Sequence, residues 1–135
     1  MLSCVFGALA PLFLIHLTPG SPPAQATLSP PDLEIVFAAV SASNNCEMCL
    51  SFHMMMLGNP ESPTGSDMPV GDIMEIAQGG LPPPEHARAH ALVTAAKYSL
   101  AHKGIYLARE KKHLATLGFK TANSLYEINY ATGIM

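Results

Sequence analysis

Tryptophan is absent from the chain, and both aromatic and charged residues are scarce. Aromatic residues make up 7% and charged residues 13% of the 135 positions, whereas apolar residues make up 49%. Length and composition predict one domain over residues 1–135 with a core of Leu, Ile, Val, Ala and Met. So few charges, together with eight methionines, indicate that part of the surface is buried between subunits, and we expect an oligomer.

Clusters of basic residues are also lacking, and the net charge is −3. The densest basic segment, Arg109-Glu110-Lys111-Lys112, is interrupted by a carboxylate and is predicted to be a solvated helix face. A nucleic-acid-binding surface needs a larger excess of Lys and Arg. We therefore expect no nucleic acid among the partners of this protein.

Residues 2–17 form an apolar run near the amino terminus. The run lacks the positive residues that begin a signal peptide, and it is too short for a comfortable membrane span. Pro11 and His16 interrupt it. We interpret the run as a structural first helix, bent near Pro11, rather than as a signal peptide, and we predict no membrane association.

No stretch of useful length alternates between apolar and polar residues, so β-strands are not predicted. Helical spacing and the helix stops at Asn44-Asn45, Gly58 and Gly118 predict an all-α domain of six or seven helices. Ser29 and Thr121 are expected to cap helices. The loop over residues 59–71 is longer than most helix connections. The predicted helices cover residues 2–17, 30–43, 46–57, 72–78, 85–103, 109–117 and 122–132.

Cysteine is scarce as well, and three cysteines do not form a disulfide framework. Cys4 is isolated, whereas Cys46 and Cys49 lie three residues apart and His53 follows four residues later. Positions i, i+3 and i+7 fall on one face of a helix, which brings two thiols and a base together. A close pair in a cysteine-poor chain suits redox chemistry in a reducing compartment, so we predict a cytoplasmic protein.

Either cysteine of the pair has a reason to be the nucleophile. Cys46 gains from the helix N-terminus, which stabilises a thiolate, and Cys49 gains from His53, a base four residues on. The spacing also allows a disulfide, so one thiolate can attack a peroxide or disulfide and the other can resolve the intermediate. These residues alone do not decide which cysteine attacks first.

A metal site is a competing interpretation of the same residues. Structural zinc needs four ligands, usually from two such pairs, and no second Cys/His pair is present. His86 and His90 have a spacing that can chelate a metal, but they lack a suitable partner and are interpreted as surface histidines. We therefore predict neither a bound metal nor another cofactor.

The segment from Glu34 to His53 resembles the alkylhydroperoxidase D-like (AhpD-like) branch of the carboxymuconolactone decarboxylase superfamily. That branch carries a glutamate, eleven further residues and then Cys-x-x-Cys-x-x-x-His, which is the spacing found here. Glu34, Cys46, Cys49 and His53 match this pattern residue for residue. The likeness continues more loosely over residues 29–132.

The resemblance implies a role for each of these four residues. Cys49 is expected to be the peroxidatic thiol and Cys46 the resolving thiol. His53 is expected to be the base, with Glu34 as part of a proton relay. The resemblance also implies a homotrimer or homohexamer that acts on a hydroperoxide or disulfide substrate. Its reductant would be a dithiol, such as a dihydrolipoamide-bearing or thioredoxin-type protein.

Two features depart from the family pattern. Met48 stands where the best-known member has a histidine joined to the relay, and a methionine cannot pass a proton. The loop over residues 59–71 is long, and the chain ends early, at Met135. We therefore expect a less efficient peroxidase and a divergent or shortened relative.

Two other functions remain open on the sequence. One is a carboxymuconolactone decarboxylase-type lyase, as in the other branch of the superfamily, whose members generally lack the cysteine pair. The other is a non-catalytic helical oligomer whose cysteine pair senses redox state or binds a metal.

Overall fold

The computed structural model describes residues 28–133, and within this range the chain is helical and has no β-strand. The predicted all-α class is therefore confirmed for these residues, whereas the predicted helix over residues 2–17 lies outside them. No helix of the described range is long and apolar enough to cross a membrane. The six helices between residues 28 and 133 are α1 (Pro30–Ser43), α2 (Glu47–Leu57), α3 (Val70–Ala77), α4 (Ala87–Ala101), α5 (Ala108–Thr116) and α6 (Ala122–Ala131).

Helix α1 is the centre of the fold. Ser29 caps it as predicted, and the Asp32 carboxylate accepts from the Ser29 backbone N–H at 2.9 Å in return. All residues from Asp32 to Ser41 are buried, because α2, α3, α4 and α6 pack against this helix. Helix α1 is therefore buried on every side and not along a single amphipathic stripe.

The turn between α1 and α2 differs from the prediction by one residue. Asn45 adopts a left-handed backbone conformation (φ 52°), and the N-cap of α2 is Cys46. The sequence places a helix stop at Asn44-Asn45, and asparagine is also a good capping residue. Asparagine also tolerates positive φ, and here this second property decides its place. The helix therefore starts directly after the first cysteine of the pair.

The core is built from aliphatic and small side chains, as the composition predicted. Alanines of α4 are buried against neighbouring helices and allow close packing, and methionine contributes only at the core edge. Thr121 caps α6 by accepting from the Ser124 N–H at 3.2 Å, as expected. The largest fully buried apolar side chains include Leu28, Leu57, Ile76, Leu92, Leu114 and Ile128.

Buried carboxylates at the helix ends each have a partner, because burial of an unpaired charge is costly. Asp32 pairs with Arg88 of α4, and the Oδ2–Nη2 distance is 2.7 Å. Glu110 accepts from the Leu107 N–H at 2.8 Å and also contacts His102 Nε2 at 2.9 Å. These contacts fix the two ends of α4 relative to α1 and α5.

The loop between α2 and α3 is closely packed at Gly65. Its N–H donates to the Ser62 carbonyl (N–O 2.9 Å), and a Cβ here would overlap the Asn59 carbonyl group. We expect Gly65→Ala to lower the free energy of unfolding by about 1–3 kcal/mol, because backbone atoms cannot rotate away. Gly80→Ala is the matched control, since its Cβ meets the flexible Glu75 side chain. Urea unfolding curves that shift equally in both variants would contradict this account.

Tyr106 makes stability depend on pH at the alkaline end. Burial raises the pKa of its phenol from 10.0 to about 12, and the Glu110 carboxylate adds to the effect. In the unfolded chain the phenol ionises at its ordinary pKa. The free energy of unfolding therefore falls as pH rises from about 10 to 12. The loss at pH 12 is expected to be about 2 kcal/mol. Tyr106→Phe should remove this extra loss, and replacement of the exposed Tyr126 by Phe should not.

Candidate functional site

Cys46 and Cys49 form a disulfide at the amino-terminal end of α2. Their Cα atoms are 5.4 Å apart, which is within the usual range for disulfides. Cys46 is the N-cap and Cys49 lies in the first turn, so one turn of helix carries both sulfurs. Local helix geometry alone therefore brings the pair together, as the spacing predicted.

The Glu34 carboxylate on α1 and the His53 imidazole on α2 meet in the protein interior. Glu34 Oε2 lies 2.7 Å from His53 Nδ1, and both side chains are buried. A carboxylate accepts the proton on Nδ1, which leaves Nε2 as the basic nitrogen of the ring. The packing of α1 against α2 thus joins the glutamate and histidine that the sequence singled out.

Two phenylalanines enclose the His53 ring. The Phe37 ring centroid lies 5.2 Å from that of the imidazole, and Phe52 lies edge-on at 5.4 Å. Neither phenylalanine is among the site residues that the sequence predicts. One feature of the sequence could have placed Phe37 near the site. It lies three residues after Glu34, so both side chains are on the side of α1 that faces α2.

Free backbone N–H groups surround the cysteines at the start of α2. The N–H groups of Glu47, Met48 and Cys49 have no hydrogen-bond acceptor among residues 28–133. Such groups, with the helix dipole, stabilise a negative charge on a nearby sulfur after reduction. His53 makes no hydrogen bond to either sulfur in the closed disulfide, so the predicted contact from His53 back to Cys49 is not formed in this state.

The outer face of α2 is apolar and open to water. Met48, Phe52 and Met55 lie at i, i+4 and i+7 and expose 62%, 50% and 62% of their surfaces. Leu50 and Met54 pack on the core side of the same helix. Met48 therefore projects away from the buried Glu34–His53 pair, on a stripe of three large exposed apolar side chains.

The two histidines with chelating spacing take part in other contacts. His86 is the N-cap of α4 and pairs with Asp72, and His90 Nδ1 lies 2.7 Å from the Pro82 carbonyl oxygen. Both are partly buried, so the interpretation as surface histidines was incomplete. Within residues 28–133, no group of three or more His, Cys, Asp or Glu residues is placed to hold a metal ion.

Comparison with known proteins found no matching family model, no matching curated protein and no matching solved structure. The function of this chain is therefore inferred from its own geometry. Four residues stand out in that geometry, because α1 and α2 bring a buried acid–base pair and a cysteine pair onto one packed unit.

Proposed function

We propose that this protein is a thiol-dependent peroxidase or disulfide oxidoreductase of the AhpD-like kind. The observation that carries the proposal is the buried Glu34–His53 contact, 2.7 Å long, on the helix pair that also holds the Cys46–Cys49 disulfide. A structural crosslink needs no buried base on its own helix. A nucleophilic thiol needs a base nearby, because the base must take and return its proton.

The proposed cycle starts from the dithiol. The Cys49 thiolate attacks the terminal oxygen of a hydroperoxide, the O–O bond breaks, and the products are an alcohol and a Cys49 sulfenic acid. The Cys46 thiol then attacks this sulfur and releases water, which forms the disulfide. His53 takes the Cys49 thiol proton and gives it to the departing alkoxide, and Glu34 stabilises the imidazolium between these two transfers. A dithiol reductant supplies two electrons to restore both thiols.

Assembly and partners follow from the same proposal. The exposed stripe of Met48, Phe52 and Met55 on α2 supports a homotrimer or homohexamer, in which neighbouring subunits cover apolar surface near the site. The reductant would be a dihydrolipoamide-bearing or thioredoxin-type protein. A cytoplasmic location completes the proposal, because a reducing compartment keeps the pair in its dithiol form.

A coupled assay tests this function. Reduced protein, cumene hydroperoxide and dihydrolipoamide are mixed, and loss of the hydroperoxide is followed with time. We expect multiple turnovers per subunit, well above the rate without protein. Protein whose thiols have been alkylated with iodoacetamide is the control and should be inactive. A rate equal to that of the alkylated protein would overturn the proposal.

A further inference from the structure

A second cluster of reactive side chains lies around a cavity of about 330 Å³. The cavity lies between the amino-terminal ends of α1, α3 and α4, and Ser66, Asp72 and His86 are among its lining residues. On α1 it is lined by positions 31, 32 and 35, which lie on a different side of that helix from Glu34. The cluster is therefore separate from the cysteine site.

Asp72 holds His86 in a defined orientation at this cavity. Asp72 Oδ2 contacts His86 Nδ1, and neither atom has another hydrogen-bond partner. Asp72 is buried, whereas 40% of the His86 side chain is exposed. A carboxylate at Nδ1 fixes the proton there and leaves Nε2 as a base. Nε2 has no hydrogen-bond partner in the part of the chain that the structure describes.

Ser66 lines the same cavity and has an unused hydroxyl proton. Its Oγ accepts from the Met68 N–H at 3.2 Å, and its hydroxyl has no acceptor among the described residues. Ala87 and Ala89 also line the cavity, and their backbone N–H groups at the start of α4 are likewise without acceptors in residues 28–133. Such groups stabilise an oxyanion. A nucleophile, a base and oxyanion donors therefore share one cavity.

We propose that Ser66, His86 and Asp72 form a second, thiol-independent site that hydrolyses small uncharged esters. His86 Nε2 takes the Ser66 hydroxyl proton as Oγ bonds to the carbonyl carbon. The tetrahedral intermediate then breaks the C–O bond of the ester, and His86 gives the proton to the leaving alcohol. Water, deprotonated by His86, attacks the acyl-serine, which releases the acid and restores Ser66.

The hydroxyl of Ser66 must turn towards His86 for this reaction. In the substrate-free protein the two side chains do not hydrogen-bond to each other, and Ser66 lies in the loop that leads into α3. Such contacts often form only when substrate binds. Asp72 already contacts the imidazole, so the Ser66 side chain is the group that must move.

The cavity walls decide the class of substrate. Asp72 contacts His86, and Asp32 pairs with Arg88, so each carboxylate of the cavity walls already has a partner. Ile35 and Met68 add apolar surface. A neutral ester with a short acyl chain suits such walls and this volume better than an ionic substrate does.

The test uses the full-length protein in its disulfide form, so that Cys46 and Cys49 cannot react with the probe. Hydrolysis of p-nitrophenyl acetate is measured together with labelling by a fluorophosphonate, located by peptide mass spectrometry. We expect the label on Ser66, and a loss of turnover on the order of 100-fold or more in Ser66→Ala and His86→Asn. Ser62→Ala, in the same loop, should keep the wild-type rate.

Each result decides the proposal. Labelling of Ser66 in the wild-type protein supports it even if a variant fails to fold, because this readout needs no substitution. Turnover that survives in folded Ser66→Ala, as judged by circular dichroism, would overturn it. So would a wild-type rate no higher than that of free imidazole at the same concentration. Cys4→Ser should leave the rate unchanged, which separates the site from the third thiol.

Discussion

Replacement of Cys49 by serine is expected to reduce hydroperoxide turnover by on the order of 1000-fold or more. A serine hydroxyl at this position is a far weaker nucleophile than a thiolate, and it cannot close the disulfide with Cys46. The measurement is cumene hydroperoxide consumption with dihydrolipoamide as reductant. Cys4→Ser is the matched control, because the third cysteine is not part of the pair, and it should retain the wild-type rate.

Cys46→Ser separates the roles of the two cysteines. The proposal predicts that this variant consumes one equivalent of hydroperoxide and then stops, because Cys49 reaches the sulfenic acid and has no partner to resolve it. A dimedone adduct on Cys49 would report that state. The N-cap position of Cys46 favours the opposite assignment. An adduct on Cys46 in the Cys49→Ser protein would therefore exchange the two roles.

Glu34→Gln is expected to lower the rate of thiol oxidation by roughly 100-fold while leaving the fold intact. Glutamine has the shape of glutamate and can still accept from His53 Nδ1, so the buried hydrogen bond is kept. The charge that stabilises a protonated imidazole is lost, and proton transfer from the thiol becomes less favourable. Stopped-flow measurement of the reduced protein with hydroperoxide gives the rate of this step directly.

Two controls accompany Glu34→Gln. Glu61→Gln neutralises an exposed loop carboxylate and should not change the rate. Glu34→Ala leaves the buried His53 without its partner, and we expect it to cost about 1–3 kcal/mol of stability as well. If folded Glu34→Gln protein oxidised as fast as wild type, the glutamate would be a structural partner of His53 and would have no part in a relay.

Local signals in the sequence account for most of the helices. Ser29 and Thr121 cap α1 and α6 because the capping side chain and the N–H it accepts are only three residues apart. Gly118 has a φ of 103° and ends the α5 segment where predicted. The cysteine pairing is local for the same reason, since the two residues lie within one helical turn.

Contacts between helices were harder to predict, because they depend on how the helices are placed in three dimensions. The Asp72–His86 pair joins α3 to the start of α4 across an irregular connection, and no helical spacing indicates it. The complete burial of α1 likewise depends on four neighbouring helices. The link between Glu34 and His53 was predicted from the resemblance to the AhpD-like branch. Helical spacing alone only placed the two residues on separate helices.

Met48 limits the efficiency that the proposed peroxidase can reach. The residue lies on the exposed side of α2, between the cysteines, and it carries no group that can exchange a proton. Proton transfer therefore depends on the Glu34–His53 pair. The Met48 thioether is also exposed to the oxidant, so methionine sulfoxide is a competing product.

In the proposed reaction, a hydroperoxide oxidises Cys46 and Cys49 to a disulfide. The most direct measurement adds one equivalent of cumene hydroperoxide to fully reduced protein and follows thiol content and mass. We expect the three thiols to fall to one, with a mass loss of two hydrogens and a Cys46–Cys49 crosslinked peptide. Three thiols that persist, or a mass gain of one oxygen on methionine without the crosslink, would contradict it.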